Sequence, residues 1–444
     1  MEVTRTLAHY IVQSKFSDIP QSVRHEAARA ILNYCGCAIG SSRHETIDNL
    51  MRAILPISGA GQAGILGRKE RLDISNAALI NGVSAHVFDF DDTHVRAIHV
   101  SAPVLPALLA FGELHQVSGA DLVHAFIVGV ETECRVGLSV FPEHYMVGWH
   151  ITGTAGIFGA AAAVGKLLGL NELQMTWALG IAATQSSGLR EMFGSMCKSL
   201  HPGRAAQGGL VAALMAKQNF TSSESGIEAP RGFANVMSTK FDPEVITRPW
   251  GQSYELSSNM YKPFACGLVV HGAIDGCIQL RNEHALTPEQ INRVEIKVCP
   301  IVMELTAKQN PMSGLEGKFS VYHAAAVALV EGAAGEAQFS DSAVIDPQVI
   351  ALRKRITAIP DPVLQRTQAD VFIYLKTGAV LNRRVEHALG TLDRPMSDAD
   401  LESKFRALSK GILSDQKIDA VIELCWSIQD LSDVGQITRA ASAD

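Results

Sequence analysis

Apolar positions fall three and four apart through roughly the first 240 residues, the spacing of a buried helix face. Ala27, Ala28, Ile31, Leu32 and Cys35 make one such stripe; Ala78, Leu79, Val83 and Ala85 make a second; Leu122, Ala125, Phe126 and Val128 make a third. From Ile151 to Gly165 the chain carries no charge, and Gly156, Gly159, Ala160, Ala162, Ala163 and Gly165 leave room for neighbouring helices. The pattern predicts a buried central helix rather than a cofactor loop. At about fifteen residues it is too short to cross a bilayer.

The period changes after Leu286. Thr287-Pro-Glu-Gln290 has the residues of a helix start, with a Thr cap, Pro in the first turn and Gln three positions on. Val294, Ile296 and Val298 then alternate with Glu295 and Lys297, and Val371, Ile373 and Leu375 repeat the two-residue period. A turn at Lys376-Thr377-Gly378 followed by Val380 to Val385 completes a β-hairpin. Helical stretches fall near Val321–Val330 and Pro347–Arg355. Past Pro395 helical texture returns: Ser397 with Asp398 and Asp400 starts one helix. Ile418–Ile428 makes a last one, and the tail after Gly435 is polar and frayed. The expected fold class is mainly α. A large all-helical domain is built from both chain ends, residues 1–266 plus 396–444, with a smaller α+β lid domain, residues 267–395, inserted between them.

Composition narrows the function. With 47% hydrophobic and 19% charged residues the chain is too apolar for disorder. The 38 Lys+Arg against 45 Asp+Glu, net charge −7 and without a basic tract, argue against nucleic acid or a membrane surface as partner. Of the eight cysteines, Cys35 and Cys37 are close, and a one-residue gap suits neither a redox pair nor a zinc knuckle. Met1 to Phe16 has an amphipathic helix pattern rather than that of a signal peptide, so a cytoplasmic location is expected.

Four polar stretches carry candidate chemistry. His86 to His99 holds Asp89, Asp91, Asp92, Thr93, His94 and Arg96, a density of groups with shiftable pKa that packing does not explain. Asp and His are also metal ligands, but their spacing fits neither an EF-hand nor HExxH, so no metal is expected. Tyr145, Trp149 and His150 precede the Gly/Ala helix, where they can meet an anion at its N-terminus or line a domain seam. Lys198, His201 and Arg204 cluster at a loop–helix junction as a carboxylate or phosphate cradle. Lys262, between Tyr261 and Pro263-Phe264, is placed for partial desolvation and use as a base. GxGxxG after a strand, GxxxxGK[ST] and GxSxG are missing from the sequence, so nucleotide cofactors and a serine nucleophile have no support.

Taken together, HVFDFDDTHVRAIHVSAPVLPALLA, GWHITGTAGIFGAAAA, FGSMCKSLHPGRAAQGG and YKPFACGLVVHGAID resemble the MmgE/PrpD family in order and spacing, nearly end to end. The resemblance implies a homodimer without a cofactor, acting on small di- or tricarboxylates as 2-methylcitrate dehydratases, cis-aconitate decarboxylases and iminodisuccinate epimerases do. The decarboxylase pattern implies active-site roles for Asp89, Thr93, His99, His150, Lys198 and Lys262. It also has a His where this chain has Gly267, and a lid-helix Tyr that falls on His323. The epimerase pattern pairs Tyr145 with Lys262. The reading is a lyase working by proton transfer next to a carboxylate, with an epimerase or a non-catalytic carboxylate-binding relative as the alternatives. Catalysis is expected from Lys262, Tyr145, His150, His99, Asp89 and Thr93, and substrate binding from Lys198, His201, Arg204, Arg96, Asp92 and His323.

Overall fold

In the computed structural model, which describes residues 2–96 and 98–443, the early apolar stripes become helices: α1 (Val3–Gln13), α2 (Gln21–Ser41), α3 (Glu45–Ile54), α4 (Ile74–Val87) and α5 (Ser101–His115). They continue as α6 (Gly119–Ser139), α7 (Glu143–Val147), α8 (Ile151–Leu167), α9 (Glu172–Gln185) and α10 (Cys197–Lys217). Asp73, Ser118 and Asn171 start α4, α6 and α9 by accepting the backbone N–H groups of Asn76, Asp121 and Gln174. The Gly/Ala-rich α8 is the central buried helix, packed against α6 and α10. Its small residues are required by contact: a Cβ on Gly159 would lie 2.9 Å from the Gly129 carbonyl oxygen of α6.

Two short antiparallel ladders interrupt the helices. β1 (Ala63–Gly64) pairs with β2 (Arg71–Leu72), and β3 (Thr93–His94) pairs with β4 (Asn259–Met260), Thr93 opposite Met260. The second ladder ties two of the four polar stretches together. Further on, β5 (Ile291–Val298), β6 (Ile356–Pro360), β7 (Ala369–Leu375) and β8 (Val380–Val385) form a sheet in the order β6-β5-β7-β8. β5 and β6 are parallel, and the β7–β8 hairpin is antiparallel, closed by a turn with Gly378 at φ 90°. Val294, Ile296, Val298, Val371 and Ile373 are buried, and the helices His271–Glu283 and Val321–Glu331 pack on this block.

One apolar core joins α2, α4, α5, α6, α8 and α10 to residues from the far end of the chain, among them Leu401, Phe405, Ile418, Val421, Ile428 and Ile437. Another gathers around the sheet and takes in Phe88 and Phe90 from the segment after α4.

Two expectations need correction. Thr287 to Gln290 is a turn leading into β5, not a helix. The Gln290 side chain does accept the Thr287 N–H at 2.9 Å as in a capping box, but the strand pattern that begins at Ile291 prevails. The tail is not frayed: Gly435–Ala440 is helical, and Val434, Ile437 and Ala441 are fully buried in the helical core. Three apolar residues among many polar ones anchor it. No helix among the described residues is long and apolar enough to cross a membrane.

Candidate active site

All four polar stretches meet at one cavity of about 120 Å³. Asp89, Thr93, His94 and His99 come from the α4–α5 connection, Tyr145 and His150 from either side of the α7–α8 turn, Phe193 from the segment before α10 and Lys198 from its first turn. Met260, Lys262, Gly267 and Leu268 follow, and the sheet block closes the space with Leu305, Thr306, Phe319, Arg366 and Thr367. The space holds several water-sized groups, the scale of a small organic acid.

Asp89 is its electrostatic centre. It follows α4 in the left-handed conformation, φ 50°, which Asp tolerates better than most side chains. Its neighbours Phe88 and Phe90 are pinned in the sheet-side core. One oxygen, Oδ1, accepts Lys262 Nζ at 2.8 Å and lies 3.0 Å from Lys198 Nζ, and Lys262 also donates to the Asp89 carbonyl at 2.9 Å. Burial works to raise the Asp89 carboxyl, but Lys198 and Lys262 outweigh it and hold it well below the usual carboxylate range. Burial pulls Lys198 downward, with Asp89 resisting. The Lys198 ammonium also faces the Phe193 and Phe319 rings at 5.7 and 5.9 Å from their centroids, a favourable cation–π arrangement.

Behind this group Asp91 lies between two imidazoles. Its Oδ2 is 2.9 Å from His86 Nδ1 and 3.0 Å from His99 Nδ1. Burial would protonate Asp91, but the two rings hold it well below the usual range. An ionised Asp91 therefore takes Nδ1–H from both, leaving His99 Nε2 turned to Asp89, 3.8 Å away. Thr93 Oγ1 is 3.3 Å from His99 Nδ1. Beside the His86 ring, His150 Nδ1 meets His201 Nδ1 at 2.8 Å. Burial and then Lys198 lower both, His201 to about 4, so the pair is neutral at pH 7 with one ring donating to the other. The Tyr145 phenol is raised by burial, against the pull of Arg190 and Arg366.

The site is fastened from the far end of the chain. Buried Lys404, in the helix Asp398–Ser409, donates to Asn33 Oδ1 at 2.8 Å, the Phe90 carbonyl at 2.6 Å and the Lys262 carbonyl at 2.9 Å. One ammonium thus pins the backbones that carry Asp89 and Lys262.

Asp89, Thr93, His99, Tyr145, His150, Lys198 and Lys262 all reach the cavity wall. The remaining substrate-binding expectations do not. His201 stands behind His150. Asp92 is enclosed by Ser101 Oγ and Asn259 Nδ2, both 2.6 Å away, and burial raises its carboxyl to about 7. His323 is fully buried in the helix Val321–Glu331, with Nε2 2.9 Å from the Gln338 carbonyl. Arg96 is exposed. Arg204 is exposed too and bonds Gln207; at about 100° per residue it lies about 120° round α10 from Lys198. The sheet-block residues Leu305, Phe319, Arg366 and Thr367 carried no local signal, because the fold alone brings them to the site.

Although the spacing shows no ligand motif, folding brings His86, Asp89, Asp91 and His99 together with ligand atoms within 4.8 Å of one another. The two ammonium groups on Asp89 oppose a cation there, since like charges at such separations repel by several kcal/mol even at an effective dielectric constant of about 20.

Comparison with known proteins identifies the family. The MmgE/PrpD N-terminal domain profile matches residues 5–246 and the MmgE/PrpD C-terminal domain profile residues 264–428. The cis-aconitate decarboxylase of Aspergillus terreus is 27% identical over 465 aligned positions, covering 97% of this chain and 94% of that protein. The cis-aconitate decarboxylase of Homo sapiens is 27% identical over 457, covering 98% and 94%. The 2-methylcitrate dehydratase of Cupriavidus necator is 24% identical over 424, covering 84% and 83%.

Proposed function

Since the chain belongs to the MmgE/PrpD family, we propose that it is a lyase that eliminates water from a small hydroxy-polycarboxylate, without a metal or organic cofactor. The observation that carries the reading is the Lys198–Asp89–Lys262 group at the floor of a cavity walled by His99 and the neutral His150. Elimination breaks a C–H bond next to a carboxylate and a C–O bond at the neighbouring carbon. A base takes the proton, the electron pair spreads into the carboxylate as an enediolate, and the hydroxyl leaves with a second proton as water. Neutral His150 is suited to receive the first proton, and Lys262, whose Nζ has two acceptors on Asp89, to deliver the second. Lys198 holds the substrate carboxylate at the floor in ground state and transition state alike.

Decarboxylation of an alkene tricarboxylate is the second reading, supported by the nearly full-length similarity to cis-aconitate decarboxylases. It makes the same carbanion by loss of CO2 and needs a proton delivered to carbon. Gly267 weighs for dehydration. It lines the cavity as a bare wall, where the decarboxylase pattern has an imidazole. Incubation with 2-methylcitrate, citrate, cis-aconitate and iminodisuccinate decides. Growth of alkene absorbance is expected from the hydroxy acids, CO2 release would select decarboxylation, and deuterium wash-in without net conversion would replace the lyase by an epimerase. Binding without any turnover would leave a carboxylate-binding protein.

Two outcomes follow from the reading. Activity is expected to survive a chelator, with metal analysis giving far less than one ion per chain; stoichiometric metal whose removal stops turnover would overturn the metal-free mechanism. The working form is expected to be a homodimer in which residues 267–395 act as a lid on the 1–266 plus 396–444 body. Light scattering at micromolar concentration checks the dimer, and a 47.6 kDa particle would contradict it.

A further inference from the structure

The cavity wall carries more positive charge than its own carboxylate balances. Lys198 and Lys262 make one positive centre at the floor, balanced by the Asp89 they share and by Asp91 behind it. Arg366, in the segment between β6 and β7, adds a second on the sheet side of the mouth. Arg190, the other guanidinium near Tyr145, is already engaged: it lies over the Tyr145 ring and donates to the Tyr145 carbonyl at 2.9 Å and to Glu304 at 2.7 Å. Arg366 differs. Among the described residues no carboxylate pairs with it, and its recorded neighbour is the Phe141 ring, 5.7 Å from the guanidinium carbon. A partly buried guanidinium with five donors and no acceptor is placed for an anion that arrives from outside. Thr367 beside it also lines the cavity.

We propose that Arg366 binds a second carboxylate of the substrate, so that the site selects acids with one carboxylate at the Lys198–Lys262 floor and another at the lid. This deepens the lyase reading and rests on it for the identity of the floor carboxylate. It also moves the carboxylate clamp from Arg204, on the outside of α10, to a residue of the sheet block. Substrate binding then bridges the two halves of the cavity wall and draws them together.

Tricarballylate, a tricarboxylate with neither hydroxyl nor alkene, tests the proposal by calorimetry without needing turnover. Binding to the full chain is expected to weaken about 10–150-fold in Arg366→Ala, the range for a hydrogen bond to a charged group, and by less in Arg366→Lys. Isobutyrate, which lacks the further carboxylates, is expected to bind the parent and Arg366→Ala equally. Equal tricarballylate affinity in parent and Arg366→Ala, or a loss that is the same for isobutyrate, would overturn the assignment, as would no binding to the parent. Thermal melting confirms that the variants are folded. If tricarballylate binding depends on Arg366 while no candidate acid is turned over, the lyase reading falls and the carboxylate site stands.

Discussion

Lys262→Arg is expected to lower turnover about 10²–10⁴-fold, the usual effect of removing a proton-transfer group. The Nζ of Lys262 donates to both the carbonyl and Oδ1 of Asp89, so its charge and direction are fixed by one residue. Arginine keeps the charge but does not give up a proton near neutral pH. It is also wider, so Lys262→Met serves as a second variant that fits the buried slot; both should be inactive while folded by circular dichroism. Lys198→Arg is expected to act mainly through KM, because a residue that holds a carboxylate in ground state and transition state alike loses uniform binding. Steady-state kinetics on the acid selected by the substrate screen separates the two. Inactive Lys198→Arg beside active Lys262→Arg would exchange the roles, and two parent-like variants would remove both lysines from the chemistry.

Asp89→Asn is expected to damage folding as well as activity. The variant keeps nearly the same shape, and Asn tolerates the left-handed backbone at φ 50° as Asp does, so charge is the variable that changes. Two buried ammonium groups then lose the carboxylate that both contact. Removing one partner of a buried ion pair costs about 3–5 kcal/mol, and a misaligned Lys262 adds a loss of about 10²-fold or more in turnover. The sign of the pH dependence follows from the depressed Asp89 carboxyl. Its contribution is fully present above the unfolded value near 3.9 and fades as pH falls towards the folded value. Denaturant titrations should therefore show parent and variant far apart at pH 7 and converging below about pH 4. A constant gap across that range would show that Asp89 acts through packing rather than charge.

The chemistry of the site was legible because its polar residues are dense along the chain. Asp89, Thr93 and His99, or Lys198 near Phe193, stand in segments too rich in titratable groups to be packing. Depth was not legible. Lys198 and His201 are neighbours on α10, yet the first meets the cavity and the second the back of His150, a difference of about 60° round the helix. His323 lies on an apolar helix and is a core residue, as its sequence surroundings allow. The sheet block was legible as alternating strands, but Arg366 is a single Arg in a connecting segment. What gives it meaning is the cavity that β6 and β7 deliver it to. The C-terminal tail was misread for a related reason: three buried side chains, Val434, Ile437 and Ala441, outweigh a polar average.

The three bonds of Lys404 also set an order of events during biosynthesis. Lys262 is made 142 residues before the ammonium that fixes its carbonyl. At about 5–20 residues per second the ribosome needs roughly 7–28 s to cover that distance. Throughout that interval the nascent chain already contains Asp89, Lys198 and Lys262 but lacks the pin that aligns two of their backbones. A chain released early, ending before Asp398, would keep every residue proposed for chemistry and still present them unaligned. Competence is therefore expected to arrive only with the helix Asp398–Ser409, and a product truncated before it is expected to be inert rather than a faulty catalyst.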